Sequence, residues 1–297
     1  SRTGIPTFFE PLGGNNGDNL IEMGSEHLLE KIGTNRVKTP GEAELLLING
    51  GFAISDIWKA GIEHLSALRR EHPDTPMVIA PCSVWFDKTD FAAVLAQGRA
   101  PVTIYCREHY SEKILRDVLP ADAAEISTSD DLAFELTGSK FLDEQIADRR
   151  EEHVVYCMRT DKEGTTAGGT AEAAAGLAMK LPAFIRKPLK AVRQKMVNAR
   201  GGSDLADILA AEGISQDIEV IRGDLSTAVD FDEFLRLLRR ARLVISDRLH
   251  VGIFAYLIGK PVVMMPGRNH KIRGIVEYSM LEKNAVGGTC RIHEAAG

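Results

Sequence analysis

The sequence predicts an α/β protein made of two Rossmann-like lobes that face each other across a cleft. Three observations lead there. Short apolar runs recur with amphipathic stretches of roughly ten to fifteen residues between them, the alternation of parallel βαβ units. At 297 residues the chain suits one large domain or two of roughly 150 residues each. A charged, strand-poor stretch, Phe141–Glu152, lies at mid-chain and reads as the connection between lobes 1–148 and 149–297. Each half then holds about four strand–helix repeats; one sheet of about eight strands is the competing arrangement.

In the first half, strands are expected at Ile5–Phe9, Leu45–Ile48, Met77–Ala80 and Val102–Tyr105. The helices between and after them are expected at Asp18–Ile32, Asp56–Arg70, Lys88–Gln97 and Tyr110–Val118. Asp18 is a natural N-cap, and Ile21 opens the apolar periodicity behind it. The second half carries strands at Val154–Met158, Ile218–Ile221, Leu243–Ile245 and Val262–Met265, with helices near 204–212, 230–241, 248–258 and 271–282. Its most complete unit runs from Leu243 to Met265: strand, polar turn, helix, Gly-Lys-Pro, strand.

Composition narrows the class. A hydrophobic fraction of 44% and a charged fraction of 26% are those of a soluble globular protein. The net charge of −6 argues against general nucleic-acid binding, which shows a basic excess. Four cysteines, Cys82, Cys106, Cys157 and Cys290, are widely spaced without a C-x-x-C pair. They read as free thiols in a reducing compartment, with neither disulfides nor a zinc site. No run is long enough to span a bilayer and no signal peptide opens the chain, so a cytoplasmic protein is expected. One segment stands apart: between Ala173 and Ser203 there is no acidic residue, while Lys180, Arg186, Lys187, Lys190, Arg193, Lys195 and Arg200 are basic. Ile185, Leu189, Val192 and Met196 form a helical stripe there. Peripheral contact of 180–200 with an anionic membrane surface and simple packing on its own lobe are both open.

Candidate chemistry lies at the carboxyl ends of strands, where open α/β sheets bind ligands and where helix N-termini favour anions. The loop Gly13-Gly14-Asn15-Asn16-Gly17-Asp18 offers Asn16, Gly17 and Asp18, either as ligand contacts or as a capped turn. Asn49 and Gly50 follow the second strand with the same two readings. Cys82 and Ser83 follow the third, and Cys82 as a nucleophile lacks an evident base. Arg107 follows the fourth, where a structural ion pair and a substrate contact are both open. In the second half Arg159 follows Val154–Met158, and Asp247, Arg248 and His250 mark the start of the helix after Leu243–Ile245. Lys271, with Arg268 and Arg273, adds charge beyond the last strand. Several cations and one imidazole on these rims suit an anionic substrate and proton transfer.

In their order these pieces resemble the polysaccharide pyruvyl transferase family. The resemblance rests on Asn16-Gly17-Asp18, Asn49-Gly50-Gly51 and Arg107 with Tyr110-Ser111, then on Arg159, Ser246-Asp247-Arg248-Leu249-His250, Gly259-Lys260-Pro261 and Lys271. It spans about residues 5 to 282, with two departures: Glu108 where an aspartate is expected, and Ala80-Pro81-Cys82-Ser83 in place of a glycine-rich strand end. The resemblance implies a glycosyltransferase-B-like fold, phosphoenolpyruvate as co-substrate without any cofactor, and a saccharide acceptor that is free or lipid-linked. The product implied is a pyruvate ketal on a hexose of a bacterial exopolysaccharide, made in the cytoplasm or at the inner membrane face. On this reading Arg159, Arg248 and Leu249 hold the donor with help from Lys271. His250 handles protons, Asp18 is a candidate base, and Asn16, Gly17, Asn49, Gly50 and Arg107 contact substrate. The alternatives are a nucleotide-sugar glycosyltransferase on the same architecture and a non-catalytic sugar- or anion-binding module. An NAD-dependent enzyme is disfavoured, because no dinucleotide fingerprint follows any strand.

Overall fold

Leu45-Leu46-Leu47-Ile48 contains no polar residue because it becomes a strand covered on both faces. Leu46 and Ile48 face one way, with Met77, Ile79, Val102 and Ile104, against Ile62, Leu65, Leu68, Phe91, Leu95 and Leu115. Leu47 packs with Ala80 against Ile21, Leu28 and Leu132. Successive side chains on a strand point to opposite faces, so double coverage removes the usual polar alternation.

A computed structural model describes residues 4–11, 13–147, 150–161, 163, 202–282 and 288–293. The chain forms two units, Ser1–Asp143 with Arg273–Val286, and Glu144–Ile272 with Gly287–Gly297. Chain order alone therefore does not delimit them, since a late segment belongs with the first. The basic stretch 180–200 lies outside the described residues.

The first unit carries β1 (Thr7–Glu10), β2 (Leu45–Ile48), β3 (Met77–Cys82), β4 (Val102–Cys106) and β5 (Glu125–Thr128). These strands are parallel and lie side by side in chain order. Its helices are α1 (Asn16–Lys31), α2 (Lys59–Glu71), α3 (Phe91–Leu95) and α4 (His109–Val118). The helix α5 (Lys140–Ile146) follows, so Phe141–Glu152 is helical over its first half and is not a bare connection. Helix α1 lies close to a 3-10 turn at Leu132–Leu136, and Gly24 permits the approach: a Cβ there would stand 1.9 Å from the Leu132 carbonyl oxygen.

The second unit holds β6 (His153–Cys157), β7 (Val220–Arg222), β8 (Ala241–Ser246), β9 (Val262–Met264) and β10 (Cys290–Ile292). Its helices are α6 (Gly202–Ala211), α7 (Leu225–Ala228), α8 (Phe231–Arg239) and α9 (Leu249–Leu257). A last helix, α10 (Lys271–Ile275), starts in this unit and runs into a π-helical stretch at Val276–Glu282 that belongs to the first. The sheet order is β10-β9-β8-β6-β7, all parallel. From β6 the chain passes to β7 on one side, then crosses to β8 on the other. That reversal is a topological switch point, where loops leave adjacent strands in opposite directions and open a crevice. The sequential order of the first sheet has no such point.

All eight expected strands are present, displaced by no more than two residues at any end, in two separate sheets. Two further strands, β5 and β10, were not foreseen. Both are sheet edges, and their residues are at best partly buried, so no apolar run announces them. The N-cap of α1 is Asn15 and not Asp18; Asp18 occupies the third helical position and completes a capping box.

Gly24→Ala is expected to force α1 off the Leu132 turn. Thermal unfolding should report a loss of roughly 1–3 kcal/mol, as for other overpacked contacts.

Candidate functional site

The switch point determines which residues of the second unit meet. Cys157 pairs with Ser246 across β6 and β8, so Arg159 and Arg248 each lie two residues beyond the last paired position of adjacent strands. Asp224 lies two residues beyond the end of β7, on the other side of β6. The Ser246 hydroxyl fixes the rim by donating to the Cys157 carbonyl (2.8 Å) and accepting from the Arg248 N–H (2.9 Å).

Both guanidiniums are buried, and so is Lys271. Each therefore needs anionic partners, because an unpaired buried charge costs several kcal/mol. Arg248 donates from Nε (2.9 Å) and Nη2 (2.5 Å) to the two Asp224 oxygens, a bidentate pair. Arg159 makes the same fork to Asp161, with both bonds 2.9 Å. Arg159 Nη2 also reaches Glu163 Oε1 at 2.7 Å, and the other Glu163 oxygen accepts from Lys271 Nζ. Asp161 Oδ2 lies 2.9 Å from Arg248 Nη2 as well, so a single oxygen bridges the two arginines.

Burial and charge pull in opposite directions here. Burial would raise the Asp161 carboxyl, but the Arg159 and Arg248 charges and hydrogen bonds outweigh it and bring its pKa down to about 2. Burial would lower the Arg248 guanidinium, yet the Asp224 hydrogen bonds and charge hold it above its ordinary value. Asp247 behaves differently. Burial raises its carboxyl to about 6, against the Arg159 N–H bond (2.6 Å) and the two arginine charges. Among the described residues, no group of three or more His, Cys, Asp or Glu side chains is arranged to hold a metal ion.

The family model for polysaccharide pyruvyl transferases matches residues 12–269, most of the chain and all of these residues except Lys271. This chain belongs to the polysaccharide pyruvyl transferase family. A solved structure of a functionally uncharacterised protein from Klebsiella pneumoniae is similar to it in fold. That structure aligns at 15% identity with a TM-score of 0.60, over 97% of this chain and 92% of the other. No curated protein matches the sequence. Membership makes the chain a transferase of the pyruvyl transferase type. No helix among the described residues is long and apolar enough to cross a membrane.

Of the site residues expected in this pyruvyl transferase, the second unit brings Arg159, Arg248 and Lys271 into one network. Leu249 and His250 open α9, whose N-cap is Arg248; Leu249 is buried and His250 partly exposed. Their backbone N–H groups belong to the first turn, where the helix dipole favours an anion. Sequence reading missed Asp161, Glu163 and Asp224. Their signal was position: each closely follows a strand end, as the arginines do.

In the first unit the expected residues hold the scaffold. Asn15 Oδ1 accepts from Gly17 N (2.8 Å), and Asp18 Oδ2 accepts from the backbone and side-chain nitrogens of Asn15 (2.8 and 2.7 Å). Asn16 and Gly17 are buried in the first turn of α1. Asn49 Oδ1 accepts from Ser25 Oγ and Gly50 N, both at 2.8 Å. Gly50 lies so close to β3 that a Cβ would stand 2.2 Å from the Pro81 carbonyl oxygen. Arg107, 1% exposed, donates to Ser83 Oγ (2.8 Å) and Asp131 Oδ2 (2.6 Å), joining the ends of β3 and β4 to the Leu132 turn. Glu108 caps α4 through Ser111 N (2.9 Å) and the Ser111 hydroxyl. Burial pushes the Cys82 thiol up to about 12, which leaves no thiolate for nucleophilic attack at neutral pH.

Two outcomes follow from these contacts. The Asp247 carboxyl titrates near 6 in the folded chain against an ordinary 3.8, so the folded state binds its proton more firmly. Its contribution to stability is complete below 3.8 and lost as pH rises through 6. Asp247→Asn keeps an oxygen for the Arg159 N–H and should flatten that limb, by on the order of 2–3 kcal/mol, in denaturant titrations from pH 4 to 7. Asp18→Ala removes one half of the capping box and should cost about 1 kcal/mol in the same assay.

Proposed function

We propose that this pyruvyl transferase uses phosphoenolpyruvate as donor and builds a ketal across two hydroxyls of a hexose. The acceptor belongs to a bacterial exopolysaccharide or its lipid-linked precursor. The second unit takes the donor and the first the acceptor, on a glycosyltransferase-B-like fold. The observation that carries this reading is the pair of buried arginines, each two residues beyond the paired ends of the adjacent strands at the switch point. Phosphoenolpyruvate carries a carboxylate and a phosphate, and a guanidinium binds either in a planar fork.

The reaction balances without an outside reagent. C3 of the donor takes a proton and becomes a methyl group, and one acceptor hydroxyl adds at C2. Phosphate leaves as the second hydroxyl closes the ketal. Of the two hydroxyl protons, one ends on C3 and the other departs with phosphate. Arg159, Arg248 and Lys271 stabilise the leaving phosphate, and His250, partly exposed at the start of α9, moves the protons.

Acceptor-dependent release of inorganic phosphate from phosphoenolpyruvate is the direct assay. His250→Ala should slow turnover by roughly 10²-fold or more with little change in thermal stability. Arg248→Lys should lower kcat/KM by a similar factor, because an ammonium cannot reproduce the fork. Turnover of a nucleotide sugar with no response to phosphoenolpyruvate would replace this reading by a glycosyltransferase, and binding without turnover of either would leave a binding module.

A further inference from the structure

We propose that Asp161 is an internal counter-anion of the donor site, displaced by the donor's own anionic group and so setting the affinity and anion selectivity of the site. This rests on the assignment of Arg159 and Arg248 to the donor.

The geometry is that of a bound carboxylate. Asp161 forks onto Arg159 through both oxygens at 2.9 Å, and Oδ2 is simultaneously 2.9 Å from Arg248 Nη2. Its Oδ1 also accepts from Glu163 N at 3.1 Å. An anionic ligand held by both arginines would need the volume and the hydrogen bonds that this carboxylate now takes. The other carboxylates of the network are less suited to leave: the side chains of Asp224 and Glu163 are 2% and 3% exposed, that of Asp161 26%. An expelled Asp161 would reach water with a short movement, whereas Asp224 or Glu163 would have to cross packed protein. With a pKa near 2, Asp161 is charged at neutral pH whether bound or released, so the exchange needs no proton.

Exchange has a consequence for selectivity. A monoanion that replaces Asp161 gains no charge interaction over the resident carboxylate, because it substitutes like for like. A ligand with two anionic groups can take the fork and still engage Arg248 or Lys271 with the second. The site is thereby tuned toward polyanions and against the many monocarboxylates of similar size.

The test compares wild type, Asp161→Asn and Asp161→Glu by calorimetric titration with phosphoenolpyruvate, inorganic phosphate and pyruvate, with thermal unfolding of each as a fold control. Asp161→Asn should tighten all three ligands by tenfold or more. Asp161→Glu retains the charge and should show none of this tightening. Weaker or unchanged binding in a folded Asp161→Asn protein would overturn the proposal and mark Asp161 as a group that merely positions Arg159. If Asp161→Asn fails to fold, Asp161→Ser takes its place: tighter binding of phosphate and pyruvate supports the exchange, and weaker or unchanged binding overturns it. The donor assignment is scored separately. Tightening of phosphate and pyruvate with no binding of phosphoenolpyruvate to any variant would defeat the donor reading while leaving the counter-anion in place. Binding of phosphoenolpyruvate that Asp161→Asn does not tighten would do the reverse.

Discussion

Three cations buried beyond the ends of β6, β8 and β9 can persist only because carboxylates are buried with them. This constraint organises the second unit. Arg159, Arg248 and Lys271 face Asp161, Glu163 and Asp224 in direct ion pairs, and a fourth carboxylate, Asp247, lies against the same arginines. With three positive charges already matched, the fourth negative charge is the expensive one. It is Asp247 whose carboxyl is raised, first by burial. Within this network the positive and negative charges therefore come close to balancing.

The two units use the same kind of element differently. In both, polar residues collect where strands end. In the first unit those residues are spent on the fold: Asn15 and Asp18 cap α1, Asn49 ties β2 to Ser25, and Arg107 joins Ser83 to Asp131. Its strands lie in sequential order, and no divergence of loops opens a crevice there. The second sheet reverses direction between β6 and β8, and the charges gather at that reversal. A strand-end residue is therefore informative only when the order of the strands is known.

That distinction explains what the sequence disclosed. Leu45–Ile48 and the stretch from Leu243 to Met265 were legible because a strand buried on both faces leaves an unbroken apolar run. Glu125–Thr128 and Cys290–Ile292 were not, since these little-buried strands mix apolar with polar residues and carry no apolar run. Arg159 and Arg248 could be singled out by their position after such runs, but that they stand at matching positions on adjacent strands depends on long-range pairing that no local pattern encodes. Asp161 and Glu163, two and four residues after Arg159, could have been found by asking what neutralises a buried arginine. Asp224 lies 65 positions from Arg159 in the chain, and only the placement of β7 beside β6 brings them together. The residue type of Asp18 favours an N-cap, yet Asn15, with the same preference, begins the helix three residues earlier.

The segment Arg273–Val286 belongs with the first unit although the strands on either side of it, β9 and β10, belong to the second. Gly274 lies against Glu108 and Tyr110 so closely that a Cβ would approach their side chains to within 3 Å, and Ser279 bonds to Asp130 at 2.9 Å. Neither unit is thus a continuous piece of polypeptide. A gene fragment ending near the middle of the chain would encode a first unit with one flank bare, and its complement would carry a helix with nothing to cover. Exchange of one unit between relatives would have to move three crossing points together.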